Sequence, residues 1–258
     1  MSYEVILYEV KEDIAMISLN RPDIMNGLNA QMRVELLHAF KRAPDEARVV
    51  VSTGIGRAYC SGQDLGDQKS IAGLDIERTL RDEYVPLLEA IYNCPVPTIA
   101  AVNGSAAGAG ANLALAHDVV IASEEASFIQ AFARIGLIPD AGGTYWLPRQ
   151  IGFARAMGAA LFAEPISARD AADMGMIWEA VPHDEFSHRV SLRANKLAAG
   201  PTQTYAYIKE AIRGSAENSL EDQLSMEAHL QGKAGKTRDF LEGVMAFSEK
   251  RAAKFEGR

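Results

Sequence analysis

From Ala90 to Ala116 the chain carries no formal charge. A run of that length could cross a bilayer. It holds Asn93, Pro95, Pro97, Asn103, Gly104, Gly108, Gly110 and Asn112, however, and is built of Ala and Gly more than of Leu and Ile. That composition reads as a buried strand, Thr98–Val102, a turn of small residues, and a buried Ala-rich helix, Gly108–Ala116. Another buried strand, Asp118–Ala122, follows at once. Short buried strands alternating with helices indicate an α/β layer fold.

The flanking sequence agrees. Glu4–Val10 and Ile14–Leu19 read as two strands joined by the charged turn Lys11-Glu12-Asp13. Asn29 is placed to cap a helix with Met32, Leu36, Leu37 and Phe40 inward, which stops before Pro44. Arg48–Ser52 is a short β-branched strand, and a Gly-containing loop runs from Thr53 to Asp67. Ile76–Asn93 has helical spacing in Leu80, Tyr84, Leu87, Leu88 and Ile91. After Pro201 amphipathic helices with polar faces continue to the end. The boundary is placed near residue 200, with a core over 1–200 and a helical region over 201–258.

At 258 residues the chain can bury a sizeable core without disulfide or metal. Lys and Arg total 26 against 34 Asp and Glu, a formal charge of -8, which argues against nucleic acid or an anionic membrane as partner. Cys60 and Cys94 form no CxxC pair and the histidines no HExxH or HxH spacing, so no metal is expected. Met1 to Asp13 contains no apolar run of the signal-peptide kind, and a soluble, cytoplasmic protein is expected.

Gly104 to Asn112 is the first segment that could carry chemistry. A P-loop would end in Gly-Lys-Ser/Thr and there is no Lys; a dinucleotide fingerprint needs a third Gly where Leu113 stands; a nucleophile elbow needs Gly-x-Ser-x-Gly. Two readings remain: close helix packing, or a helix start whose free N–H groups face a ligand. A second loop, Arg57 to Leu65, also follows a buried strand and also places amides after small residues. Two such loops could aim two N–H groups at one oxygen, each worth roughly 3–4 kcal/mol to a developing oxyanion.

Cys60-Ser61-Gly62-Gln63-Asp64-Leu65 together with Asn103-Gly104 through Asn112 resembles the crotonase (enoyl-CoA hydratase/isomerase) superfamily. Leu19-Asn20-Arg21-Pro22 and Gly136 through Thr144 strengthen the match, which extends to Lys254-Phe255. The resemblance implies a spiral core of ββα units, a helical trimerisation region after about residue 200, and an acyl-CoA thioester substrate, with CoA arriving as part of the substrate and no separate cofactor. It implies a homotrimer or a dimer of trimers. The oxyanion amides would be those of Gln63 and Ala109. CoA contacts would fall at Met25, Gly62, Asp64, Leu65, Lys254 and Phe255.

Hydratases of this family use two glutamates, at positions held here by Asn112 and Phe132. Neither side chain takes a proton at neutral pH, so ordinary hydration is disfavoured. Asp140 is instead the candidate acid/base, with a helix N-cap as its alternative role. Asn112 would position substrate or water. Phe132 through Asp140, with Trp146-Leu147-Pro148-Arg149, looks like the ring 1,2-epoxyphenylacetyl-CoA isomerases of phenylacetate breakdown. The expected activity is therefore an acyl-CoA isomerase. The alternatives are a delta-3,delta-2-enoyl-CoA isomerase, an enoyl-CoA hydratase, or an acyl-CoA binder without catalysis. Tyr84, Phe132 and Trp146 are either pocket or core aromatics, and pocket width is assigned to the loop Gln68–Glu77.

Overall fold

The computed structural model describes residues 2–66 and 75–258. Asp67 and most of the loop Gln68–Glu77 lie outside the described residues. Strands β1 (Ile6–Lys11) and β2 (Ile14–Leu19) pair antiparallel. Their turn residues Glu12 and Asp13 both have positive φ, at 51° and 62°, which matches the twist of a tight hairpin. Helix α1 (Ala30–Arg42) starts where Asn29 Oδ1 accepts the Met32 N–H at 2.9 Å.

The core then repeats one step. Strand β3 (Val49–Gly54) is followed by the short β4 (Ala58–Cys60), and β5 (Thr98–Val102) by β6 (Ser105–Ala107). In the same way β7 (Val119–Ser123) is followed by β8 (Ser127–Ile129). Between the first two pairs lie α2 (Ile76–Thr79), a π-helical turn (Leu80–Tyr84) and α3 (Val85–Tyr92); between the next two lies α4 (Ala109–Leu115). The first strand of each pair joins a six-stranded sheet and the second a four-stranded one. Each turn of the chain thus lays one strand in each sheet, giving the expected ββα spiral. Ser105–Ala107, expected as a turn, is a strand because β4 and β8 flank it and take up its backbone bonds.

Helix α5 (Gly143–Phe162) leads to β9 (Ile166–Ser167), α6 (Ala168–Asp173), β10 (Glu179–Val181) and α7 (His183–Ala198). The large sheet runs β1-β2-β3-β5-β7-β10, parallel from β2 onward, and the small one β4-β6-β8-β9. Val50 faces the main core while Val49 and Val51 face α7 through Phe186 and Val190, so β3 is buried on both sides. That is why its sequence is a continuous apolar run rather than an alternating one.

Helices α8 (Thr202–Gly214), α9 (Leu220–Ala234) and α10 (Arg238–Glu249) complete the chain. A polar junction ties α8 to the core: Asp118 meets Lys209 Nζ at 2.7 Å and Arg213 Nη2 at 2.6 Å. Among the described residues no helix is long and apolar enough to cross a membrane.

Candidate active site

Helix α4 packs so closely on β4 that a Cβ on Gly110 would sit 2.3 Å from the Cys60 carbonyl oxygen. Packing therefore explains part of the Gly-rich segment. The rest opens on a cavity of about 290 Å³, whose wall includes Gly62, Gln63, Gly108 and Ala109. Gly62 has φ +91°, and a Cβ there would meet the Ala107 carbonyl oxygen at 2.7 Å and the Ala109 nitrogen at 3.4 Å. The two loops are thus brought edge to edge, which only glycine permits. Among the described residues the N–H groups of Gln63 and Ala109 find no backbone acceptor.

Most of the remaining lining is apolar, with Ile76, Leu80, Phe132, Ile135 and Leu137. Asp140 is the one carboxylate among the described residues of the wall. Its main-chain oxygen accepts Asn112 Nδ2 at 2.7 Å and the Gly143 N–H at 2.8 Å. Its side-chain Oδ1 is buried with no hydrogen-bond partner. Desolvation raises the carboxyl to about 6, into the range where it can exchange protons near neutrality. The cap alternative does not hold: Gly142, in the left-handed region, occupies the N-cap of α5, which receives no side-chain cap bond.

Asn112 is fully buried; its oxygen accepts Gln130 Nε2 at 2.8 Å while its nitrogen serves the Asp140 carbonyl. It holds Asp140 from behind and does not reach into the cavity, contrary to the expectation that it would touch substrate or water. Tyr84 and Phe132 are pocket aromatics. Trp146 is not: it packs edge-to-face with Tyr145 and at a tilt with Tyr92, and donates to the Ala141 carbonyl.

Of the expected CoA contacts, Gly62 and Leu65 line the cavity. Asp64 pairs with Arg21 at 2.9 Å, and the Met25 carbonyl accepts the Ser61 N–H. Lys254 and Phe255 lie elsewhere, the Lys254 N–H donating to Glu242 Oε1 and the Phe255 ring resting near Gly243 on α10. His117 and Cys60 are core residues. His117 bridges Ser52 and Leu113, and burial lowers it to about 4; burial pushes the Cys60 thiol up to about 12.

A group that the sequence reading missed surrounds Gln63. Its Oε1 accepts Arg33 Nη1 at 2.9 Å and the Tyr84 hydroxyl at 2.7 Å, and Arg33 pairs with Glu83 at 2.6 Å. The available signal was a charge, Arg33, on the inward stripe of α1.

The sequence profile of the enoyl-CoA hydratase/isomerase family matches residues 9–258. The chain belongs to this family. A Rhodobacter capsulatus protein named probable enoyl-CoA hydratase is 60% identical over 258 residues, covering 100% of both chains. The 1,2-epoxyphenylacetyl-CoA isomerase of Escherichia coli is 41% identical over 264 residues, covering 99% of each. The crystal structure of an enoyl-CoA hydratase from Bacillus anthracis superposes with a TM-score of 0.91 at 33% identity, over 99% of this chain and 100% of that one. The enoyl-CoA hydratase/isomerase fold accounts for the paired strands and the two adjoining loops. Within it, this chain keeps a single carboxylate on the described cavity wall.

Proposed function

We propose that the protein is an acyl-CoA isomerase in which Asp140 carries one proton between two carbons of a thioester-stabilised enolate. The observation that carries this reading is the Asp140 carboxylate, the one carboxylate among the described residues of a largely apolar wall and with a buried oxygen that has no partner, while Asn112 and Phe132 supply no second acid. The thioester oxygen lies between the N–H groups of Gln63 and Ala109, which stabilise the charge that develops when a proton leaves the adjacent carbon. Asp140 takes that proton and returns it further along the acyl chain. The double bond migrates, and no atom enters or leaves. On an aryl epoxide tethered to the thioester the same enolate would accompany opening of the three-membered ring into a seven-membered oxepin, again without change of mass. The 41% identity to the Escherichia coli epoxyphenylacetyl-CoA isomerase supports this as the substrate class, as do the apolar side chains that line the cavity.

The test is turnover of a trans-3-enoyl-CoA and of the aryl epoxide by the wild type and by Asp140→Asn, with product mass followed. Formation of an isomer at unchanged mass, falling about 100-fold or more in the variant, is expected. Equal rates would remove Asp140 from the chemistry, and a product heavier by one water would make the protein a hydratase.

A homotrimer, alone or paired with a second trimer, is part of the same proposal. It is supported by the apolar side chains that α10 leaves exposed: Phe240, Leu241, Val244, Met245 and Phe247. Light scattering decides it, a monomer being the refuting result.

A further inference from the structure

Arg33 is buried on α1 beside the apolar Met32, Leu36, Ala39 and Phe40 and one other charged residue, Glu35. The Arg33 side chain is almost fully buried, and each of its three nitrogens donates a hydrogen bond. Nε and Nη2 go to Glu83 Oε2, at 2.8 and 2.6 Å, and Nη1 goes to the Leu28 carbonyl at 2.8 Å and Gln63 Oε1 at 2.9 Å. Burying a guanidinium is costly, and an apolar residue would often serve stability as well. The arrangement is better explained by what it holds.

Leu28 is itself hydrogen-bonded to the loop that Gln63 occupies: its N–H donates to the Gly62 carbonyl and its carbonyl accepts the Asp64 N–H. Arg33 therefore grips the Gln63 residue twice, through the neighbouring backbone and through the side chain. The guanidinium has only donors, so the atom of the Gln63 amide that faces it must be the oxygen. The Tyr84 hydroxyl, 2.7 Å away, takes the second lone pair of that oxygen. Tyr84 and Glu83 both belong to the π-helical turn, which also supplies Leu80 to the cavity wall.

We propose that Arg33 and Tyr84 are positioning residues that lock the Gln63 carboxamide and so aim the Gln63 N–H at the thioester oxygen. The proposal rests on the reading of that N–H as an oxyanion donor. It further assigns the π-helical turn a double task, since the turn lends Leu80 and Tyr84 to the acyl wall and sets the strength of the oxyanion contact. An acyl group that displaces Tyr84 would thereby weaken catalysis as well as binding, which makes this turn a determinant of specificity.

The experiment uses Tyr84→Phe, which removes one hydroxyl and keeps the ring, Gln63→Met, which removes both bonds but keeps the backbone N–H, and Gln63→Glu, whose carboxylate accepts both donors. Two quantities are read: steady-state kinetics on a 3-enoyl-CoA, and the carbonyl stretch of bound hexanoyl-CoA, isotope-labelled at the thioester. Bound to the wild type, the carbonyl should absorb at lower frequency than in solution. Tyr84→Phe and Gln63→Met should lose part of that shift and lower kcat by about 10- to 100-fold, with KM changed less than about threefold, as for a contact made mainly in the transition state. Gln63→Glu should retain both. Adding Tyr84→Phe to Gln63→Met should change nothing more, because the two act through one contact.

Variants with the full frequency shift and wild-type kcat would overturn the clamp. So would a Tyr84→Phe effect that persists in the Gln63→Met background, which would place the hydroxyl on the substrate itself. A wild type with no frequency shift at all would instead overturn the oxyanion reading, and the clamp with it.

Discussion

Replacing Asp140 by Asn should make the protein more stable while it abolishes turnover. Burial holds this carboxyl at about 6 against an ordinary value of 3.8. At about 1.4 kcal/mol per pKa unit, the gap would cost the folded state about 3 kcal/mol once the group is ionised in both folded and unfolded chains. Part of the residue meets solvent, and screening brings the expected figure to about 1–2 kcal/mol. The sign is the reverse of that for a salt-bridged carboxylate. Below 3.8 the group is protonated in both states and nothing is lost; between 3.8 and about 6 the unfolded chain releases its proton first, so stability falls as pH rises. Above about 6 the penalty is complete.

Asn has nearly the same shape and no charge at any of these values. Its advantage should therefore be absent at the acid end, grow through the window, and level off above about pH 7. Urea unfolding of both proteins across that range, at one protein concentration so that assembly does not intrude, gives the difference directly. A variant no more stable than wild type at about pH 8, or one whose advantage is unchanged at about pH 4.5, would refute the reasoning. The carboxylate would then be solvated or partnered, and its standing as a tuned acid/base would fall with it.

Gly62→Ala forces a Cβ to within 2.7 Å of the Ala107 oxygen at a φ of +91°, and should cost about 1–3 kcal/mol of stability in a thermal melt. It should also lower kcat by tenfold or about that, because relief of the clash separates the two loops. Asp118→Ala leaves Lys209 and Arg213 without their shared partner on the core. A loss of about 2–4 kcal/mol in urea unfolding is expected. A wild-type-like midpoint would show that the junction is solvated. In the wild type, kcat/KM should rise with pH through about 6 as Asp140 ionises, and a profile flat across that region would deny it the role of base.

Much of this architecture was legible in the sequence because it is encoded locally. The hairpin, the Asn29 cap, the buried β3 and β5 and the long helix near residues 76–93 each follow from periodicity or from a single capping side chain. The small sheet was not visible that way. Ser105–Ala107 has no strand propensity and becomes a strand only because its neighbours do. The π-helical turn inside the long helix leaves the apolar spacing nearly intact, so it too escaped notice. At the site, Gly62, Gln63, Ala109 and Asp140 converge on one cavity as the motifs suggested. Asn112 was misplaced in role because its burial depends on Gln130 and on the path of the chain at Asp140. The Arg33 cluster joins residues 30 and 50 positions apart, contacts that no window along the chain contains.

Asp140 is fastened at one end only. Its main chain is gripped by two donors, yet the buried oxygen at its tip touches no donor at all. On the proposed mechanism the acid visits two carbons in one turnover, which calls for a firm root and a free hand, since every bond to the carboxylate would have to be broken on the way between them. Nature's more familiar devices for activating a carboxylate, a neighbouring arginine or a ring of amides, would steady it and so tether it to a single place. A tip whose buried oxygen has no partner does the opposite, trading folded-state stability for reach.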